Sequence, residues 1–177
     1  MNRKYIFIVN GYPRSGKTTF GRILNNYVPC THISIIDPIK NLAEIIGWDS
    51  NRKTEKDRKF LSDLKDLCNE YNDFALNRVI ETICRFLLHD ENPVLLIDMR
   101  EPEDIRRIKE IFQISTIFID RPDADHIITN HADANVEYVS YNIIIPNKGT
   151  IEDFENEIEK FAKDNLEYAY PIPVNGE

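Results

Sequence analysis

Eight residues near the start of the chain, Gly11-Tyr-Pro-Arg-Ser-Gly16-Lys17-Thr18, carry its most specific chemistry. Their spacing is G-x-x-x-x-G-K-[ST], and each fixed position has a physical reason. The glycines let the backbone wrap anionic oxygens with its N–H groups, and a helix starting at the end of the motif adds its positive pole to the same spot. A lysine at this place reaches the β and γ phosphates of a nucleoside triphosphate, and the Thr18 hydroxyl is a ligand for Mg²⁺. Gly11, Ser15, Gly16, Lys17, Thr18 and Thr19 are the candidate nucleotide-binding residues.

A second magnesium element is visible in Val94-Leu-Leu-Ile-Asp98, an apolar run that ends in an acid. Open α/β sheets bind ligands at the carboxyl ends of their strands, so Asp98 can hold Mg²⁺ directly or through water. Cations cluster at comparable positions. Lys40 closes Asp37-Pro-Ile-Lys40 after the second apolar run, Arg100 lies two residues beyond Asp98, and Arg52, Lys53, Lys56, Arg58 and Lys59 form a run between them. Phosphoryl transfer is mostly positioning and charge neutralisation, so cations converging on two phosphates suit it. Lys40, Arg58 and Arg100 are the candidates for an acceptor phosphate, whereas Arg52, Lys53, Lys56 and Lys59 read as a solvated helix face. A phosphate acceptor already exposes a nucleophilic oxygen at neutral pH, so no strong base is demanded. A guanine-specificity motif of the N-K-x-D type is absent, because Asn147-Lys148 is followed by Gly149-Thr150.

These residues need a scaffold, and five short apolar runs supply it: Tyr5 to Val9, His32 to Ile36, Val94 to Ile97, Ser115 to Ile119 and Asn142 to Ile145. Continuous rather than alternating apolar character marks strands covered on both faces, the signature of a parallel sheet between helical layers. Phe20, Ile23, Leu24 and Tyr27 repeat at helical spacing after the glycine-rich loop. Leu61, Leu64, Cys68 and Tyr71, then Leu76, Ile80, Cys84 and Leu87, predict a helical pair that breaks near Asn72-Asp73, where Asp73 can cap the second helix. Pro102 opens a helix to Phe112, and Thr150 caps a final one carrying Ile151, Phe154, Ile158 and Phe161. The segment after Tyr170 is proline-broken and expected to fray.

The chain has 177 residues, 42% of them hydrophobic, with 22 Lys+Arg against 30 Asp+Glu for a net charge of −8. That length predicts one domain with a real core, and the acidity argues against broad polyanionic surfaces such as nucleic acid or anionic membrane as partners. The negative charge falls on residues 121–177, so the remainder is free to carry a small basic pocket. Cys30, Cys68 and Cys84 are odd in number with no C-x-x-C spacing, which suits neither a disulfide framework nor a structural zinc site and fits a reducing cytoplasm. The first apolar run is too short for a signal-peptide core, and no stretch approaches the roughly 20 apolar residues that span a bilayer. A soluble cytoplasmic protein with a small-molecule partner is expected.

Taken together, Arg14 to Lys17, Asp37-Pro-Ile-Lys40, Ile97-Asp98-Met99-Arg100 and Tyr141-Asn142-Ile-Ile-Ile-Pro-Asn147-Lys-Gly149-Thr150 resemble the P-loop nucleoside monophosphate kinase superfamily. Within it, the likeness is to bacteriophage-type deoxynucleoside monophosphate kinases and animal-type phosphomevalonate kinases, over residues 4–163. The resemblance implies a three-layer α/β/α fold with a five-stranded parallel sheet in order 2-3-1-4-5. It further implies a helical acceptor-binding insertion at about 37–90, a lid at about 121–141, ATP as donor and Mg²⁺ as cofactor. On matching positions, Lys17 and Arg14 would hold the triphosphate, Arg121 would contact the nucleotide from the start of the lid, and Asn147 and Lys148 would lie by the donor base. Asp37, Lys40, Arg58 and Arg100 would serve the acceptor. One departure stands out: residues 122–147 contain no Lys or Arg, where such lids usually bring arginines, and His126 and His131 are the only potential cations there. Three activities fit: transfer to a (deoxy)nucleoside monophosphate, transfer to another small metabolite such as phosphomevalonate or an alcohol, and nucleotide binding by a regulator without transfer.

Overall fold

The structure is a computed structural model, described over residues 3–52, 54–122, 136 and 139–167. The elements run β1 (Tyr5–Asn10), α1 (Lys17–Leu24), β2 (Cys30–Ser34), α2 (Asp37–Ile45), α3 (Glu55–Asn72), α4 (Phe74–His89), β3 (Val94–Asp98), α5 (Pro102–Ile111), β4 (Ser115–Asp120), β5 (Ile143–Pro146) and α6 (Ile151–Asn165). The five strands form one sheet in the order β2-β3-β1-β4-β5, as the resemblance implies. β1 is parallel to both β3 and β4, and β4 is parallel to β5. Most of the expected lid, including His126 and His131, lies outside the described residues, as does everything from residue 168 on.

The continuous apolar runs become strands because each pleat face has a cover. Phe7 and Val9 of β1, Leu96 of β3, Ile117 and Ile119 of β4 and Ile145 of β5 point one way. They meet Phe20, Ile23 and Leu24 of α1 and Phe154, Ile158 and Phe161 of α6 in one buried cluster. Alternate residues, Ile8, Leu95, Ile97 and Thr116, are equally buried on the opposite face. Phe118 shares that second face with its register partner Asn10.

By its contacts the chain divides into two compact units, one of residues Met1–His32 and Asp90–Glu177 and one of Ile33–His89. The first holds the phosphate loop and most of the sheet. The second holds α2, α3 and α4, whose buried side chains include Ile39, Ala43, Leu76, Val79, Ile83 and Phe86.

One strand boundary differs from the expectation, and the break between the paired helices falls where it was expected. The second strand is Cys30–Ser34 rather than residues 32–36, and α2 begins directly at Asp37. Pro38 falls in the first helical turn, where its missing N–H costs nothing, so Asp37-Pro-Ile-Lys40 starts a helix. Asp73 has φ 54 and ends α3 in the left-handed region, while its carbonyl accepts the Asn77 N–H at 2.9 Å, so one residue joins α3 to α4.

α6 is fixed by a reciprocal cap. The Thr150 hydroxyl accepts the Asp153 N–H at 3.2 Å, and Asp153 Oδ2 accepts the Thr150 N–H at 2.8 Å. The backbone bond from Thr150, joined by its hydroxyl, holds the Asp153 carboxyl below its usual value of 3.8. A group depressed in this way stabilises the fold above its unfolded pKa and loses that contribution as pH falls through the folded one. Thr150→Ala is therefore expected to lower Tm by about 2–4 °C near neutral pH. The gap to the parent should narrow below about pH 4, which thermal melts across pH will read.

Candidate active site

The loop between β1 and α1 is shaped by residues that accept unusual backbone angles. Gly11 has φ 148 and Gly16 φ 108, and neither has room for a side chain. A Cβ on Gly11 would lie 2.6 Å from Ser15 Oγ and 3.0 Å from the Ile119 carbonyl oxygen. A Cβ on Gly16 would lie 2.7 Å from Asn147 Nδ2 and 3.3 Å from Phe154 Cε1. Arg14 also sits at φ 61, a conformation that costs a non-glycine residue about 1–2 kcal/mol. Strain of this kind persists where surrounding structure enforces it, commonly at ligand clamps.

Lys17 closes the loop from inside. Its ammonium donates to the Gly11 carbonyl at 2.7 Å and to the Tyr12 carbonyl at 3.0 Å, and the side chain is largely buried. Gly16 caps α1 and the Phe20 N–H returns to the Gly16 carbonyl at 2.8 Å, so the helix's first turn starts at the loop. The N–H groups at that turn and the helix dipole favour an anion there. Ser15 is buried with a hydroxyl that has no hydrogen-bond partner, a polar group left over in the loop's wall.

Side chains from neighbouring strands hold the loop. Asn10 Oδ1 accepts the Gly11 N–H at 2.7 Å, fixing the first turn. Asn147, just past β5, donates from Nδ2 to the Ser15 carbonyl at 2.8 Å. Its own N–H reaches the Asp120 carbonyl at 2.7 Å, so it is locked from both sides. Arg121, the residue after β4, donates from Nη1 to the Arg14 carbonyl at 3.3 Å. Lys148 pairs with Asp120 at 2.8 Å. The structure thus brings Arg14, Ser15, Lys17, Arg121 and Asn147 around one loop. Asn147→Ala removes the donor to Ser15 and leaves that carbonyl unsatisfied. A roughly tenfold rise in the Kd for ATP is expected, about 1–2 kcal/mol, read by calorimetric titration.

Asp98 ends β3 in register with Val9 of β1, so its carboxylate emerges on the strand adjacent to the loop. Thr18 lies in the first turn of α1. A hydroxyl and a carboxylate are hard oxygen donors, the set Mg²⁺ takes when substrate phosphates and water complete its shell. Among the described residues no three His, Cys, Asp or Glu side chains gather to hold a metal by themselves. Thr18 and Asp98 are by donor type suited to Mg²⁺. Arg100 follows Asp98 in the short connection to α5.

In the helical unit, Asp37 Oδ2 accepts the Ser34 N–H at 2.7 Å, and Oδ1 takes the Lys40 ammonium at 2.8 Å. These two candidates form one pair, roughly half exposed, at the head of α2. Arg58 is exposed in the first turns of α3, next to the buried Asp57. Asp57 closes a capping box with Thr54, whose hydroxyl bond, more than its backbone bond, holds that carboxyl below its usual value.

Sequence reasoning did not single out Asn10, Tyr12 or Asp120. Asn10 carried the clearest signal, a polar residue at the end of an otherwise apolar strand, directly before the loop's first glycine.

No family model matches the chain, and no curated protein sequence does. Solved structures do resemble it. A sugar kinase from Janibacter sp. HTCC2649 superposes with a TM-score of 0.55 at 14% identity, over 94% of this chain and 99% of that one. Shikimate kinase from Aquifex aeolicus gives 0.50 at 17% identity, over 90% and 97%. TT1252 from Thermus thermophilus gives 0.51 at 13%, over 92% and 98%. What is shared is architecture: the chain has the three-layer α/β/α fold of the P-loop kinases. No described helix is long and apolar enough to cross a membrane.

Proposed function

We propose that the chain is an ATP-dependent phosphotransferase that moves the γ-phosphoryl group to a small phosphorylated acceptor, with a nucleoside or deoxynucleoside monophosphate as the leading candidate. The observation that carries this reading is the assembled phosphate loop, with Lys17 tied across it to the Gly11 and Tyr12 carbonyls. Two of the kinases that share its fold are described as acting on a sugar and on shikimate, which supports a small-molecule acceptor.

In this reading the N–H groups of residues 16–19 and the Lys17 ammonium take the β and γ phosphates. Arg14, held in a strained conformation, and Arg121, anchored on the Arg14 carbonyl, neutralise charge on the transferring group. An acceptor phosphate oxygen forms a bond to the γ phosphorus as the bond to the β–γ bridging oxygen breaks, and ADP leaves. Mg²⁺, held by Thr18 and Asp98, would supply positive charge to the β and γ phosphates when bound. Lys40, Arg58 and Arg100, with Asp37 positioning Lys40, would bind the acceptor phosphate. The segments at about 37–90 and 121–141 would be the acceptor-binding insertion and lid of a single kinase domain in the cytoplasm.

The test is ADP release by the full chain with Mg²⁺ and ATP over a panel of nucleoside monophosphates, phosphorylated metabolites and plain alcohols. Acceptor-dependent release with one or more monophosphates is expected. Release with plain alcohols only would overturn the acceptor assignment, and release with nothing in the panel would overturn transfer.

A further inference from the structure

The sequence of α3 places Phe60, Leu64, Leu67 and Tyr71 at intervals of four, three and four residues. At about 100° per residue these positions fall within roughly 60° of one another, so they form one narrow apolar stripe along the helix. A stripe of this kind normally turns towards a core. The neighbouring helices follow that rule, α2 burying Ile39 and α4 burying Ile83, but among the described residues of α3 only Asp57 is buried. Leu67 is 65% exposed and Tyr71 87%, while Phe60 and Leu64 are half-buried. The helix lies against α2 and α4 by another side, and the stripe is left facing outward.

Charge is distributed unevenly beside this stripe. Lys56 and Lys59 flank its start, whereas Asp63, Asp66 and Glu70 flank its middle and end, and all five are exposed. The acids gather towards the negative pole of the helix, where the last turn has no basic residue to offset them. Lys59 pairs with Asp63 at 2.7 Å, an exposed contact that water screens and that a carboxylate from another molecule can share.

Both patterns are self-complementary under one operation. About a two-fold axis midway along the stripe, between Lys65 and Asp66, Phe60 falls opposite Tyr71 of a second copy and Leu64 opposite its Leu67. The same axis brings the lysines at the start of one helix to the acids at the end of the other, with Lys59 beside Glu70. We infer that α3 is a self-association surface, through which two copies of this chain pair with their α3 helices antiparallel. Pairing would cover Leu67 and Tyr71 and supply the missing positive charge at each acidic end.

A single helix pair is a small interface, so the expected dimer is reversible, with a Kd of about 1–100 µM. Sedimentation velocity of the full chain across that range reads it. Leu67→Glu puts a charge at the centre of both stripes and is expected to raise the Kd by about tenfold or more. Lys59→Glu and Glu70→Lys should each raise it by about threefold or more, and the double variant should return it to within about twofold of the parent. Positions 59 and 70 lie roughly 16 Å apart along one helix, so that recovery reports contact between copies rather than within one. All three side chains are exposed, so circular dichroism should not change. The charge series stands whether or not Leu67→Glu folds normally. A monomer throughout the range, a dimer unmoved by Leu67→Glu, or a double variant no tighter than the single ones would each overturn the inference.

Discussion

Replacing Lys17 by Met is expected to lower phosphoryl transfer by about a thousandfold or more while the chain stays folded. The ammonium is held inside the loop, donating to the Gly11 and Tyr12 carbonyls at 2.7 and 3.0 Å. When phosphate oxygens occupy the cradle, that charge lies where negative charge shifts during transfer. Removing one preorganised donor from such a site typically costs about 10²–10³ in rate, and this donor carries a full charge. Met keeps an unbranched stem of similar length, so circular dichroism and Tm should change little. Steady-state turnover with the best acceptor measures the loss. Less than a tenfold fall would remove Lys17 from the mechanism.

The second large effect is expected from Gly16→Ala. The new methyl meets Asn147 Nδ2 at 2.7 Å and Phe154 Cε1 at 3.3 Å, on a backbone at φ 108 that L residues rarely adopt. Asn147 must withdraw and release the Ser15 carbonyl, or the loop must open. Strain of about 1–3 kcal/mol and an unsatisfied carbonyl of about 1–3 kcal/mol act together, so the affinity for ATP should fall by a hundredfold or more. Gly47→Ala is the control. Gly47 has φ 93, but a Cβ there meets nothing within 4 Å, so it carries the backbone strain without a collision. It should cost some stability and leave ATP affinity within twofold. Equal losses of ATP affinity in the two variants would show that the Asn147 contact has no part in shaping the loop.

These two residues also mark how much was legible beforehand. Lys17 and Gly16 were readable because their roles are local: a strand, a turn needing positive φ and a helix start follow one another along the chain. The sheet order followed from the resemblance rather than from the apolar runs themselves, which give strands but not their neighbours. The start of α2 was not legible, because Pro38 suits a helix's first turn as well as the exit from a strand, and only the burial of Ile39 and Ala43 decides between them. The structural part of Asn147 was hidden for a different reason. It lies 132 residues from the Ser15 carbonyl it satisfies, and no periodicity or composition reports a single tertiary hydrogen bond.

The central claim is that the assembled loop moves a phosphoryl group from ATP to a phosphate-bearing acceptor. Incubating the chain with γ-labelled ATP, Mg²⁺ and the nucleoside monophosphate panel, then resolving the products, tests it most directly. The account predicts label in a nucleoside diphosphate whose base is that of the added acceptor, and loss of that label in Lys17→Met. Label found only in inorganic phosphate, or in no product above the Lys17→Met background, would contradict it.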